Sequence, residues 1–248
     1  LHLPVTDFGT ALRDWRGRRR ISQLDLALRA ETTQRHISFM ERGRSAPGRA
    51  MVVRLAESLD LPLRERNALL HTAGYAPVYP QTSLDDLGSL KAVLQRILDG
   101  HLPYPAIVIT RHGDLVASNS ALSILTEGVA PELLVPPVNV LRLALHPKGM
   151  ALRIGNFPEW SRHVVERLHQ EIARNPDDRL RDLLAELRGY VPDSPGAAPL
   201  GFAVPLHLGD LRLMTTITTF ATAVEVAVSE LRLEAFLPAD EATASLLG

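Results

Sequence analysis

The chain has no cysteine among its 248 residues. That absence rules out disulfides, thiolate metal sites and a cysteine nucleophile, and it fits a reducing compartment. It also removes the residue that a flavin photoadduct would need. No apolar run approaches the roughly 18 residues of a membrane span, so a cytoplasmic protein without a membrane partner is expected. The opening LHLPVTDFGT lacks a basic stretch followed by an apolar core, so no secretory signal is expected there. It also lacks an initiator methionine, which leaves room for a short native leader. No Gly-rich phosphate loop, HExxH or GxSxG string is present. His163 and His169 are six apart, nearly on opposite faces of a helix, which is not the i, i+4 spacing of a metal pair. His101 and His146 sit near prolines at segment ends, where capping or loop hydrogen bonds are the ordinary use. Nothing singles out one histidine as a haem ligand. The expectation is therefore no enzyme, no metal site and no cofactor.

What is present is an uneven distribution of charge. Residues 1–76 have no lysine, yet hold 13 arginines against 8 acids, a balance of +5. The remainder has 14 basic and 20 acidic residues, a balance of −6, so the whole chain is at −1. A basic module on an acidic body points to a polyanionic partner for the first part alone.

Those first 76 residues read as five short helices. Phe8, Leu12 and Trp15 share a face, with Arg16 beside them, before the basic run RGRRR. Ser22 and Asp25 form a shortened capping box ahead of a second helix, whose apolar stripe reads as Leu24, Ala27 and Leu28. Thr32 or Thr33 caps a third helix with Ile37 and Met40 inward, and Gly43 can end it in the left-handed conformation. A fourth helix points Val52, Leu55, Ala56 and Leu59 inward. A fifth runs from near Pro62 to Gly74.

This order matches a helix-turn-helix module, in which the third helix enters the major groove of DNA. Successive residues turn by about 100°, which puts Gln34, Arg35, Ser38 and Phe39 toward the groove. Gln can pair with adenine and Arg with guanine, whereas Phe39 suits only a thymine methyl or the sugar–phosphate wall. Arg42 and Arg44, past the helix end, suit phosphates, which position without specifying. Thr33 belongs to the same candidate face. The alternative is an amphipathic surface helix with solvated charges.

Beyond 76 the pattern changes. PVYPQTS (77–83) reads as a linker, and residues 84–99 as a connecting helix with Leu87, Leu90, Val93, Leu94 and Ile97 in period. AIVIT (106–110) and LVASN (115–119) read as a hairpin. Helices follow near 120–126, 139–145, 157–172 and 178–189, then the loop DSPGAAPLG (193–201). FAVPLHL (202–208), LRLMTTITTF (211–220) and AVEVAVSELRLEAF (223–236) read as strands. The order fits an α+β domain with a five-stranded antiparallel sheet of PAS type. The expected division is a DNA-binding domain at 1–76, a linker and helix at 77–100, and a ligand-binding and dimerisation domain at 101–248.

ISQLDLALRAETTQRHISFMERGRSAPGRAMVVRLAESLDL resembles the Xre, or phage-repressor, class of helix-turn-helix domain. The longer set LRDWRGRRRISQLDLA, RHISFMERGRSAPGR, LAESLDLPLRERNALLHTAGYAP, HLPYPAIV, NVLRLALHPKG and FLPAD resembles the MmyB-like transcription regulators from about residue 8 to 240. The resemblance implies a DNA-binding domain joined to a PAS-like ligand-binding domain, a homodimer on double-stranded DNA, and a fatty-acid-like ligand. It also implies an internal bond between Arg16 and Glu41, and places Gln23 at the position that binds phosphate. The chain departs from its relatives after YPAIVI, where Thr110 replaces an acid and Gly113 a tryptophan. That departure bears on the pocket wall and the ligand, not on the fold.

For the ligand, Arg142 and His146 are four apart and can meet an acidic headgroup, with Leu141, Leu145 and Met214 around an apolar tail. Equally, Arg142 can pair with an acid on a neighbouring helix while the leucines are simply core. A two-fold symmetric operator is expected, because one small module has a limited footprint. The rival expectation keeps the DNA-binding regulator but gives the second domain only dimerisation or partner binding, without a ligand.

Overall fold

The computed structural model describes residues 7–83, 88–192, 204–220 and 222–248. The DSPGAAPLG loop, the start of the FAVPLHL strand and Leu87 lie outside the described residues. The chain forms two compact units: Leu1–Ser83 together with Ala221–Ser229, and Leu84–Phe220 together with Glu230–Gly248.

The first unit is built on α1 (Phe8–Arg18), α2 (Gln23–Arg29), α3 (Gln34–Glu41), α4 (Arg49–Ser58) and α5 (Leu63–Thr72). Each start has a physical cause. The Asp7 carboxylate accepts from Thr10 N at the head of α1, and Ser22 and Asp25 complete the capping box of α2. Thr33 accepts from His36 N at the head of α3. Gly43 ends α3 at φ +68°, with Arg44 N bonded to Phe39 O (2.8 Å) and Gly43 N to Met40 O (3.1 Å). That pair of bonds is a Schellman closure, which glycine enters without a Cβ penalty. Leu12, Leu26, Ile37, Met40, Leu55 and Leu69 form the centre of the core.

The apolar stripe expected on α2 is corrected. Of the three residues expected there Ala27 is buried, but Leu24 and Leu28 are 52% and 70% exposed, and Leu26 and Ala30 are buried in their place. Both sets have helical spacing, but the helices approach closely enough that the core side takes two alanines. Large leucines on the other side mislead a reading weighted by hydrophobicity.

The second unit opens with α6 (Gly88–Asp99), then β1 (Ala106–Ile109), β2 (Leu115–Ser118) and α7 (Leu122–Thr126). After these come α8 (Val140–Leu145), α9 (Phe157–Arg174), α10 (Asp178–Arg188), β3 (Leu206–Leu208) and β4 (Leu211–Thr219). It closes with β5 (Arg232–Pro238) and α12 (Glu241–Leu247), and α11 (Val226–Ser229) lies between β4 and β5. The five strands form one antiparallel sheet in the order β2-β1-β5-β4-β3. Alternation along the strands sends Ile107, Ile109 and Phe236 to one face, against Trp160, Val164 and Leu168 of α9. Ala106, Val108, Leu233 and Ala235 face the other way, onto Leu94 and Leu98 of α6. On α6 the expected Val93 and Ile97 are 49% and 38% exposed, and Leu98 is the buried partner of Leu94.

The run AVEVAVSELRLEAF, expected as one strand, is divided. Glu225 Oε2 accepts from Val228 N (2.8 Å) and Val226 is fully buried, so 226–229 is a helical turn and the strand begins at Arg232. Alternating valines suit a strand, but tertiary burial and a local carboxylate cap outweigh that preference. Among the described residues no helix is long and apolar enough to cross a membrane.

Candidate functional site

The third helix presents a prearranged polar face. Gln34, Arg35, Arg42 and Arg44 are exposed, and Ser38 and Phe39 are partly so. Phe39 is flanked by two guanidinium groups, Arg35 at 5.1 Å and Arg42 at 5.7 Å from its ring centroid. Such cation–π contacts restrict long arginine side chains before any ligand arrives. Arg42 also folds back on Ser38, with Nη2 to Oγ at 2.7 Å and Nε to the carbonyl at 3.0 Å. Thr33 is engaged as the helix cap, and Thr32 Oγ1 meets His36 Nδ1 at 3.0 Å.

Beneath this face lies Glu41, whose side chain is 2% exposed. Arg16 grips it with two bonds, Nε to Oε1 at 2.6 Å and Nη2 to Oε2 at 3.1 Å. Gln23 Nε2 donates to Oε2 at 2.7 Å, so the Gln23 side chain is held at the head of α2. Burial raises the Glu41 carboxyl, but the bonds from Arg16 and Gln23 outweigh it and leave the group below its ordinary value. α1 can approach α3 this closely because Gly9 has no Cβ: one would fall 2.6 Å from Met40 O and 2.9 Å from Glu41 O.

The 77–83 stretch is anchored within the first unit. Buried Asn67 donates to Tyr79 O and accepts from Val78 N and Tyr79 N, and Arg66 reaches the Tyr79 hydroxyl. The Ala221–Ser229 segment adds two bonds: Val226 N to Pro80 O at 2.9 Å, and Thr82 N to Glu225 Oε1 at 2.7 Å.

In the second unit an apolar cavity of about 110 Å³ lies between the sheet and the helices α7 to α9. Leu141, Met150, Trp160, Val164, Leu206 and Phe236 make up much of its wall, and Met214 and Thr215 of β4 border it. Its polar side chains are His163 and Arg167, one turn apart on α9, Thr215 of β4 and buried Glu234 of β5. Arg167 Nη2 donates to Glu234 Oε1 at 3.1 Å. Burial, aided by the nearby Arg167, pushes His163 below its ordinary value, favouring the neutral ring.

A smaller cavity of about 30 Å³ shares Leu141, Val164, Arg167 and Glu234 with it, and adds Arg111, Arg232 and Glu171. Leu141 also fills the space beside Gly113, whose φ is +82° and whose absent Cβ would meet Leu141 Cγ at 3.1 Å. Thr110 Oγ1 accepts from His112 N and Asp114 N, stabilising the turn in place of an acid.

Of the five residues expected at a ligand, Leu141 and Met214 thus border the cavity. Leu145 is fully buried in the core. Arg142 pairs bidentately with Glu186 at 2.6 and 2.7 Å, in a separate polar groove with His112, Asp114 and Arg179. That bond holds the Glu186 carboxyl below its ordinary value. His146 lies edge-on to Tyr190, with ring centroids 4.9 Å apart. Sequence reasoning missed Arg167 and Glu234. One signal was available: Glu234 interrupts LRLEAF at a position that alternation turns toward the helices.

A family model described as the MmyB-like transcription regulator ligand binding domain matches residues 90–248. A second, described as Helix-turn-helix, matches residues 12–66. No curated protein matches the chain.

Proposed function

Because the chain belongs to the MmyB-like transcription regulators, we propose that α3 reads its DNA site and that the cavity of the second unit holds a small apolar molecule. Membership makes this a DNA-binding transcription regulator with a ligand-binding domain. The observation that carries the reading of α3 is the exposed Gln34 and Arg35, with half-buried Ser38, at the amino-terminal half of the helix, the half that meets base edges in this geometry. Arg35 and Gln34 are the base readers. Arg42 and Arg44 contact phosphate, Gln23 contributes at the head of α2, and Thr33 and Phe39 border the groove wall. The protein works in the cytoplasm as a homodimer on a two-fold site, because two modules give the footprint that tight specific binding needs. Strand order β2-β1-β5-β4-β3 supports a PAS-like second domain.

Arg35→Ala is expected to cost about 1–3 kcal/mol on the preferred duplex and to relax selectivity at one base pair per half-site. Titrating matched and single-substituted duplexes at one salt concentration measures both. Equal weakening on every duplex would reassign Arg35 to phosphate. Arg44→Ala should instead weaken all duplexes alike and lower the salt slope by about 1.

Ligand and DNA communicate in this reading by a population shift, which requires a ligand that distinguishes two arrangements of the protein. Two connections support it. One is the 77–100 segment. The other is Ala221–Ser229, which belongs to the DNA-binding unit while its flanking strands β4 and β5 border the cavity. A fatty-acid-like ligand is the family expectation, and the apolar wall supports the apolar part of it.

A further inference from the structure

We propose that Arg111 is the residue through which an occupied cavity acts on the α11 segment; this rests on the ligand-binding reading above. Arg111 stands just past β1 and is a wall residue of the small cavity, which shares Leu141, Val164, Arg167 and Glu234 with the main one. Its side chain is only 7% exposed. A buried polar group ordinarily has a hydrogen-bond partner. Arg111 Nη2 has none among the described residues.

What holds Arg111 is two ion pairs, each longer than a hydrogen bond. Nη2 lies 3.5 Å from Asp177 Oδ2, and Nη1 lies 3.7 Å from Glu230 Oε1. Asp177 is fixed by other bonds: it caps α10 by accepting from Leu180 N at 3.1 Å, and it meets His112 Nε2 at 3.0 Å. Glu230 directly follows Ser229, the last residue of α11 and of the Ala221–Ser229 segment that belongs to the DNA-binding unit. Arg111 thus combines an unmade bond at the cavity wall with a loose tie to the end of α11.

Among the described residues the wall of the small cavity has three arginines, Arg111, Arg167 and Arg232, and two carboxylates, Glu171 and Glu234. Both carboxylates are engaged, Glu171 by Arg232 at 3.0 Å and Glu234 by Arg167 at 3.1 Å. An acceptor brought to this wall by a bound molecule therefore meets Arg111 as the donor with a bond still to make. A buried donor left unbonded gains most from a new acceptor, so Nη2 moves to it. Asp177 stays in place, and the distance that lengthens is that from Nη1 to Glu230. Occupancy then loosens the last turn of α11, which is the differential effect that a population shift needs.

The test uses the full chain at pH 7 with dodecanoate, titrated to saturation. The Met214 methyl resonance reports occupancy, and amide hydrogen exchange reports the two ends of the path. In the unmodified chain dodecanoate should shift the Met214 methyl, slow exchange within β1, and accelerate exchange at Val228 and Ser229 at least threefold. Glu230→Ala, which changes a residue of neither cavity wall, should keep the Met214 shift and the slowing in β1 and lose the acceleration. Arg111→Met should lose the acceleration too, and either variant decides if the other does not fold. A role confined to holding the fold would alter the β1 and α11 responses together. Exchange at Val228 and Ser229 that is unchanged or slows in step with β1, or acceleration that survives in a folded variant, would overturn the proposal while leaving the ligand site in place. Absence of any Met214 shift would remove the fatty-acid reading and this inference with it.

Discussion

Glu41 joins α3 to both α1 and α2 through a carboxylate that is almost wholly buried. Removing one member of a buried pair leaves the other charge uncompensated, so Glu41→Ala should cost about 3–5 kcal/mol, measured by denaturant titration of the full chain. The same carboxyl sets a pH dependence. Its folded value lies below the ordinary 4.5, so its contribution is complete above the unfolded value and is lost as pH falls through the folded one. Glu41→Gln should therefore flatten the loss of stability below about pH 4.5, compared with the unmodified chain. An unchanged acid limb would contradict that assignment. Arg142 gives the opposite expectation. Its pair with Glu186 is 40% and 33% exposed, so Arg142→Ala should cost no more than about 1 kcal/mol, measured by the same denaturant titration. At this scale the sequence was legible where one residue type has one use, as with Ser22 and Gly43, while of the two threonines it offered as the cap of α3 the fold uses Thr33. It was not legible for Arg142, because an arginine four residues from a histidine does not reveal which acid lies opposite in space.

The α11 turn shows how an element can escape a sequence reading. Its valines alternate as a strand would, and only the burial of Val226 and the Glu225 cap make it helical. The residues it meets, Pro80 and Thr82, are over a hundred positions earlier, beyond any local pattern. Glu225→Ala removes the acceptor of both Thr82 N and Val228 N. Amide hydrogen exchange at Thr82 and Val228 is expected to accelerate at least tenfold, while amides within α3 keep their protection. If this connection carries the ligand response, the variant should also lose the effect of a cavity ligand on DNA affinity while keeping its ligand-free affinity. Equal ligand responses in both proteins would leave the 77–100 segment as the route. Most other elements were legible within a few residues, since helical periodicity and turn signals are local. On α2 the reading placed Ala27 correctly but put Leu24 and Leu28 inward where Leu26 and Ala30 are buried, because both sets share helical spacing and two leucines outweigh a leucine and an alanine.

At the scale of the molecule, the strongest sequence signal was the contrast between a +5 module and a −6 remainder, and it divides chemistry as well as charge. The basic unit has the exposed arginines of α3. The acidic unit has a cavity whose arginine, Arg167, is paired with Glu234. Both the two-part organisation and the five-stranded antiparallel sheet could be read from element order. The cavity's polar wall could not, because Arg167 and Glu234 lie on separate elements and meet only when α9 packs on β5. On the function proposed above, the chain recognises a specific DNA site as a symmetric pair of modules. Selection of bound duplexes from a random library by the full chain tests it most directly. The expected result is an enriched two-fold motif whose half-site centres lie about 10 base pairs apart, or a multiple of that. Enrichment of a single unrepeated half-site, or of no motif at all, would contradict it.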